Sequence, residues 1–416
     1  MGHVKDLKTG IKYKDTPIGK IPVDWEVISL RDVSEINMGQ SPPSEDCNER
    51  EEGLPFYQGN AEFGSKYPSP KKWCEKPKKI ADEGDILISV RAPVGEINIA
   101  PHKCCIGRGL AAITAKSIHS QFLYHLLFLR RKYLQKISQG STFEAINSKE
   151  LSDLLIFLPA VTEQKKIAEI LTTLDEAIEK TYQIIERTKE AKKGLMQRLF
   201  TRGIGHKKFK KTEIGETPVE WEVRRFGDLC NGQPEYGANV SSIDKDKSLP
   251  RYIRITDITE DGKLLEATWQ SIKREFAQPY ILEEGDFLFA RSGATVGKTY
   301  LYRNKDGECA FAGYMIRFKP NPKQLLPEFL FQYTHSNFYY NWVKGILRAG
   351  AQPNINAQEY FNMPLPKPPI NEQKQIAEIL SSVDEELEKE SNHKEHLELL
   401  EKGLMQVLLI GKIRVL

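Results

Sequence analysis

The sequence predicts an α/β (α+β) chain of two globular domains, each followed by a long helix. The two helices are expected to pair antiparallel as a coiled coil, so that the halves are related by a pseudo-two-fold axis. Three observations predict this. The chain has 416 residues, too many for one ordinary core and suited to two domains of roughly 150 residues with connecting elements. Its first half is written again in its second. Each copy closes on a long stretch of helical periodicity.

The repeat decides the architecture, because a missed repeat misassigns the whole fold. The run from Thr16 through Trp25 to Val27, TPIGKIPVDWEV, returns from Thr212 through Trp221 to Val223 as TEIGETPVEWEV. Glu83-Gly84-Asp85 and the apolar run after it return at Glu284-Gly285-Asp286. The longest match carries Glu163-Gln164 through Asp175 onto Glu372-Gln373 through Asp384, and resumes where Lys193-Gly-Leu-Met-Gln matches Lys402-Gly-Leu-Met-Gln. Two copies of this size are too few and too long for a solenoid and fit a monomer that imitates a homodimer. The segments 33–82 and 229–283 share almost nothing, so one frame carries two different inserts.

Each copy opens on an extended, Pro-containing entry. Strand-like runs follow, among them Ile86 to Val90, Tyr252 to Ile258 and Phe287 to Ala290, separated by Gly turns. Pro-rich punctuation at Pro159 and at Pro364, Pro366, Pro368 and Pro369 precedes each long helix, for which Thr162 and Asn371 are the expected N-caps. The resulting segments are 1–158, a helix over 159–202, 203–368, and a helix over 369–416.

In the first helix Ile167, Ile170, Leu171, Leu174, Ile178, Ile184, Ile185, Leu195 and Leu199 recur at three- and four-residue steps. About 38 residues at ~1.5 Å each make a rod of roughly 57 Å, which needs a partner stripe. The second helix offers one in Ile376, Ile379, Leu380, Val383, Leu387, Leu397, Leu400, Leu404 and Leu408. Packing of each helix on its own domain is the competing account, set aside because the seam outlasts one domain face. Paired this way, the helices would act as a ruler between the domains.

Composition narrows the function classes. Apolar residues are 40% and charged residues 28%, the balance of a soluble protein, and no run approaches the ~18 apolar residues of a membrane span. The N-terminus lacks an apolar signal core and has Asp6 where a myristoylation signal wants Ser or Thr, so a cytoplasmic chain is expected. Six cysteines form no C-x-x-C pair and have no His at zinc spacing, which reads as reduced structural thiols and no metal. The net charge is +3, yet residues 371–412 carry ten acidic and five basic side chains, leaving the remainder at +8. That surplus permits a nucleic-acid partner.

Catalytic signatures are expected to be absent. Ser292 to Thr299 approaches a phosphate-binding loop but has Ser292 in place of the first Gly, and the matching loop Arg91 to Glu96 lacks the Lys and Thr. A tight glycine turn, able to approach a DNA phosphate through Arg91, Arg291 and Lys298, is the preferred reading. Asp153, Glu163 and Lys165 suggest a nuclease trio, but only the Glu and Lys recur, at Glu372 and Lys374. An early Glu suits a helix dipole, and helix-start duty is the expected role. The chain shows no methylation motif, no S-adenosylmethionine fingerprint and no H-E-x-x-H or G-x-S-x-G.

With these features assembled, the chain resembles the specificity subunits of type I restriction-modification systems over nearly its whole length. The resemblance is carried by Pro22 and Trp25 with Pro218 and Trp221, and by Gly84, Asp85 and Gly95 with Gly285, Asp286 and Gly297. It continues in Ile146-Asn147 with Ile355-Asn356, and in Pro159, Glu163, Gln164, Ile167 and Ala168 with Pro368, Glu372, Gln373, Ile376 and Ala377. It implies two target recognition domains, each reading half of a bipartite site in double-stranded DNA, and helices that set the spacer. It further implies two modification subunits that carry S-adenosylmethionine, and restriction subunits that use ATP; no cofactor is expected on this chain. Independently of the family, two different domains on a symmetric frame would read an asymmetric, interrupted site, whereas a true homodimer reads a palindrome.

The alignment that carries Trp25 onto Trp221 carries Gln58 onto Arg254 and Asn60 onto Thr256, side chains expected to share one strand face. Gln and Asn suit adenine edges and Arg suits guanine, although solvated strand residues answer the same pattern. Lys66, Lys71 and Lys72, with Trp73 in the same basic run, fit either a phosphate grip or a solvated loop. The expected DNA-facing set is Gln58, Asn60, Lys66, Lys71, Lys72, Arg91 and Asn147, with Arg254, Thr256, Arg291, Lys298, Gln352 and Asn356. Trp25 and Trp221 read as packing anchors. The expected helix-pairing set is Ile167, Leu171, Leu174, Ile178, Ile185, Leu195 and Leu199 against Ile376, Leu380, Val383, Leu387, Leu397 and Leu404.

Overall fold

A computed structural model describes residues 4–5, 11–138, 145–347 and 353–415. The chain divides into two compact units. One runs through Gln183 and resumes from Ser391; the other is Ile184–Glu390. The division falls inside the two long helices, not at their ends, so each unit owns the start of one helix and the end of the other.

The first unit opens on strands β1 (Lys12–Thr16) and β2 (Gly19–Pro22), followed by β3 (Glu26–Ser29) and β4 (Ser34–Met38). Next come β5 (Leu54–Tyr57), β6 (Ile86–Ser89), β7 (Ile97–Ile99), β8 (Cys104–Ile106) and β9 (Leu110–Ala115). Helices α1 (Ser120–Ser138) and α2 (Ser148–Ser152) lead to β10 (Leu155–Leu158) and the long α3 (Val161–Arg202). The expected extended entry is instead a β-hairpin, closed where Thr16 pairs with Gly19 and the Thr16 hydroxyl donates to the Gly19 carbonyl. An antiparallel sheet in the order β7-β6-β9-β4 forms the frame. Beside it β5 and β8 pair in parallel, with Tyr57 opposite Ile106.

The second unit follows the same general order, without a full counterpart of β4 and with two helices in the place of α1. Its hairpin is β11 (Phe209–Thr212) and β12 (Gly215–Pro218), followed by β13 (Glu222–Arg225), β14 (Arg251–Ile253), β15 (Phe287–Ala290), β16 (Thr299–Leu301), β17 (Cys309–Phe311) and β18 (Met315–Phe318). Then come α4 (Pro327–Thr334), α5 (Asn337–Ile346), α6 (Ala357–Phe361), β19 (Pro364–Lys367) and α7 (Ile370–Leu408). Strands β15, β16 and β18 pair antiparallel, and β14 pairs with β17 in parallel. The expected strand from Tyr252 to Ile258 ends at Ile253, because Asp257 turns the chain back by accepting the Arg254 N–H.

The Glu-Gly-Asp motif is a turn in both units. Gly84 and Gly285 hold φ of +85° and +86°, which favours glycine. The buried Asp85 and Asp286 carboxylates accept the Asp82 and Glu283 N–H groups at 2.9 and 3.0 Å. Apolar strands enter from this turn into cores centred on Trp25, Phe122 and Leu171 in one unit and on Trp221, Phe289 and Leu380 in the other.

Within each unit the two helix segments run antiparallel. In the first, Ile167 and Leu171 share a core with Leu404, Met405 and Leu408. In the second, Ile376 and Leu380 share one with Leu195, Met196 and Leu199. Both accounts weighed from the periodicity therefore operate: the helix ends pack on a domain and on each other together. Polar contacts continue the pairing, Lys192 meeting Asp384 in the second unit, while in the first, burial and the neighbouring Asp175 carboxyl push the Glu401 pKa up to about 7. Ile185 is buried, while Leu174, Ile178, Val383, Leu387 and Leu397 are half-buried. Ile184, Ile379 and Leu400 are exposed, contrary to the seam expected from spacing. The helices begin at Val161 and Ile370, which puts Thr162 and Asn371 inside the first turn and not at the N-cap.

Candidate nucleic-acid interface

The repeated Glu-Gln pair organises each unit. Trp25 donates its indole N–H to the Glu163 carboxylate at 3.0 Å, and Trp221 donates to Glu372 at 2.9 Å. Gln164 accepts the His119 N–H and donates to the Pro159 carbonyl, both at 2.8 Å. Gln373 does the same with Leu326 and Pro368, both at 2.9 Å. Glu163 is 2% exposed and Gln373 0%, so these are internal ties. Glu163 does lie in the first turn of α3, as expected of a helix-start residue, and its carboxylate in addition holds an indole and, at 2.6 and 2.8 Å, the Arg414 guanidinium. Asp153 pairs instead with Arg31 at 2.6 Å, so the nuclease trio is dispersed.

The phosphate-loop lookalike is also spent. Lys298 Nζ lies 2.9 Å from Glu260 and donates to the Ile258 carbonyl at 3.2 Å. The Thr299 hydroxyl is buried against Thr334 at 2.9 Å. A phosphate loop needs that ammonium and hydroxyl free for the nucleotide and its metal.

The expected DNA-facing residues separate into groups. Gln58 and Lys72 are exposed and line one cleft of about 930 Å³ in the first unit. Lys71 and Arg91 are exposed as well. Gln58 and Asn60 do not share a strand face: β5 ends at Tyr57, and Asn60 opens a short 3-10 turn. Thr256 is exposed in the turn beyond β14. Arg291 is half-buried, its guanidinium 4.8 Å over the Tyr236 ring. Gln352 lies outside the described residues.

Three cations of the expected set are engaged by partners inside the fold. Arg254 donates to both oxygens of the buried Asp257 at 2.8 and 3.0 Å, and these bonds raise its pKa. Lys66 turns toward Asp175 on α3 at 3.8 Å. Lys298 is committed as described. Asn147 and Asn356 are N-caps: their side chains accept from Glu150 and Glu359 N–H at 3.0 and 2.9 Å, and those glutamates return the bond to complete capping boxes.

Spacing alone did not single out Arg108, which lines the same cleft as Gln58. An arginine between two glycines, Gly107 and Gly109, was the signal available. It also did not identify Arg414 or His206 as partners of the Trp-Glu pairs.

The cysteines are free in the fold. Burial pushes the Cys104, Cys105 and Cys309 thiols up to about 12. Among the described residues no group of three His, Cys, Asp or Glu could hold a metal, and no helix is long and apolar enough to cross a membrane.

The family described as type I restriction modification DNA specificity domain matches twice, over residues 22–189 and 218–399. The chain belongs to this family. The type I restriction enzyme MjaVIII specificity subunit of Methanocaldococcus jannaschii is 28% identical over 406 residues, 95% of this chain and 94% of that one. A protein of the same organism described as the MjaX specificity subunit is 45% identical over 193 residues, which is 45% of each chain. The solved S subunit of a type I restriction-modification system from M. genitalium shares the fold at a TM-score of 0.65, with 14% identity over 98% of this chain and 99% of that one. The protein is therefore a type I specificity subunit. The two family matches fall on the two halves of the internal repeat, and each covers a Trp motif, a Glu-Gly-Asp turn and a Glu-Gln helix start.

Proposed function

We propose that this specificity subunit reads double-stranded DNA in two parts, the first domain contacting one half-site and the second the other. The two long helices set the spacer and offer the docking surface for two modification subunits. The observation that carries this reading is the contrast inside the repeat. Frame strands, Glu-Gly-Asp turns and Trp-Glu ties recur in both units, while residues 33–82 and 229–283 differ almost throughout. A frame kept twice with different inserts suits two readers of different sequence.

In this reading S-adenosylmethionine belongs to the modification subunits and ATP to restriction subunits. This chain contributes recognition and spacing, and it works in the cytoplasm. Base contacts fall to the inserts and to the frame turns packed against them, and phosphate contacts to exposed cations such as Lys71, Lys72 and Arg91.

The test exchanges residues 33–158 for the corresponding segment of another specificity subunit and maps modified sites in host DNA with all partners present. Only one half of the modified sequence should change. A change in both halves, or in neither, defeats the two-reader arrangement.

A further inference from the structure

The turn joining β8 to β9 is Gly107-Arg108-Gly109. Both glycines are required by close approach. A Cβ on Gly107 would stand 2.8 Å from the Gln58 Cα, and one on Gly109 would stand 2.7 Å from the Gln58 carbonyl oxygen. The Gly107 and Gly109 N–H groups donate to the Tyr57 and Gln58 carbonyls at 2.8 and 3.1 Å. The turn is therefore laid flat on the end of β5, and Arg108, the one side chain it carries, is exposed.

That side chain is oriented but uncommitted. Its Nε donates to the Ser41 hydroxyl at 3.2 Å, and the same oxygen accepts the Arg108 backbone N–H at 3.2 Å and donates to Gln58 Oε1 at 3.0 Å. Among the described residues Arg108 makes no ion pair, and its terminal nitrogens have no hydrogen-bond partner. The cleft it lines is mixed in charge, with Glu45, Glu49 and Glu62 beside Arg50 and Lys72. Carboxylates repel a phosphate, whereas a base pair presents both acceptors for an arginine and, on cytosine, a donor for a carboxylate.

The equivalent turn in the second unit carries a different head. Ala312 N–H donates to the Ile253 carbonyl as Gly107 does to Tyr57, and Arg291 N–H donates to the Tyr314 carbonyl as Val90 does to Gly109. There Gly313 stands in the place of Arg108, and the exposed side chain is Tyr314, at 62%. The strand-end cation Arg254 is locked on Asp257. The same turn of the common frame thus offers a forked cation in one copy and, one residue further on, an aromatic ring in the other.

We infer that Arg108 is a base-reading residue of the first domain, presenting its two terminal nitrogens to O6 and N7 of a guanine in the major groove. Ser41 and Gln58 are its positioning residues. The inference rests on the proposed reading of DNA by this domain and adds to it a residue and a base.

The test uses the full chain assembled with its modification subunits, comparing wild type, Arg108→Ala and Ser41→Ala by methylation mapping and by binding to site variants at several salt concentrations. Arg108→Ala should admit other bases at one position of one half-site, with discrimination there falling by about 10- to 100-fold, and leave the other half-site unchanged. Ser41→Ala should give a smaller loss at the same position. If Arg108→Ala weakens all sequences equally and lowers the salt slope by about one, the residue grips a phosphate and the inference is overturned. Unchanged specificity overturns it as well. A wild-type complex with no bipartite preference would defeat the functional reading itself, and is distinguishable because no variant is needed to see it.

Discussion

In the first unit the buried Trp25 and Glu163 are closed by Arg414, which comes from the far end of the sequence and also pairs with Asp24 at 2.7 Å. In the second unit the matching Trp221 and Glu372 are closed by His206, just beyond α3, which lies 3.1 Å from Glu220. The two latches share an indole, a carboxylate and an acidic neighbour, and differ in the cation. Arginine stays charged at any ordinary pH, whereas histidine titrates near neutrality. One geometry written twice is therefore permanent in one unit and conditional in the other. The difference also shows why the sequence after α7 belongs with the first unit: its Arg414 satisfies a carboxylate buried there.

The comparison can be broken first at the carboxylates. Glu163→Ala leaves an indole N–H without its acceptor and a guanidinium with only Asp24, and should cost about 3 kcal/mol, the scale for removing one partner of a buried pair. Urea unfolding followed by domain-specific hydrogen exchange should show the loss in the first unit, and Glu372→Ala should show it in the second. Equal protection in variant and wild type would mean the latches are incidental.

A second experiment separates the cations. Burial opposes the charged form of His206, but its hydrogen bonds and attraction to Glu372 and Glu220 outweigh that, and its pKa is raised. A raised folded value contributes stability that is fully present below the unfolded histidine value of about 6.5, and that is lost as pH rises through the folded value. Thermal unfolding from pH 5.5 to 8.5 should therefore show a declining contribution from the second latch, absent in His206→Gln. The Arg414 latch should hold constant over the same range. A wild-type profile that matches His206→Gln at every pH would remove the asymmetry.

The smallest expected effect concerns the caps. Asn147→Ala and Asn356→Ala should each cost about 1 kcal/mol as lost N-caps, and leave the modified DNA sequence as it was. A changed sequence with unchanged stability would return these residues to the DNA-facing set.

Much of the frame was legible in the sequence. The repeat, the Gly84 and Gly285 turns, and the helices that follow Pro159 and Pro369 depend on local chemistry: φ preferences and three- and four-residue periodicity. The proposed interface was less legible. Gln58 and Arg254 align, yet one lies exposed in a cleft and the other is locked on Asp257, a difference of neighbours that spacing does not carry. Lys66 and Lys298 read as available charges because their partners, Asp175 and Glu260, are distant in sequence and brought close only by folding. Ile184, Ile379 and Leu400 fit the helical period and are exposed all the same, because a period marks a face and does not say how far along the helix a partner continues.

The sequence alone determined that one module is present twice, that its ends are long helices and that its inserts differ, since repetition and period are properties of order along the chain. Tertiary structure decided which charges are spent and which remain available. It also decided that Glu163 and Glu372 hold tryptophans, and that Arg414 closes the unit in which the chain began. These depend on distance in space, because a buried charge must find its counter-ion wherever the fold brings one near, however far away it lies in sequence.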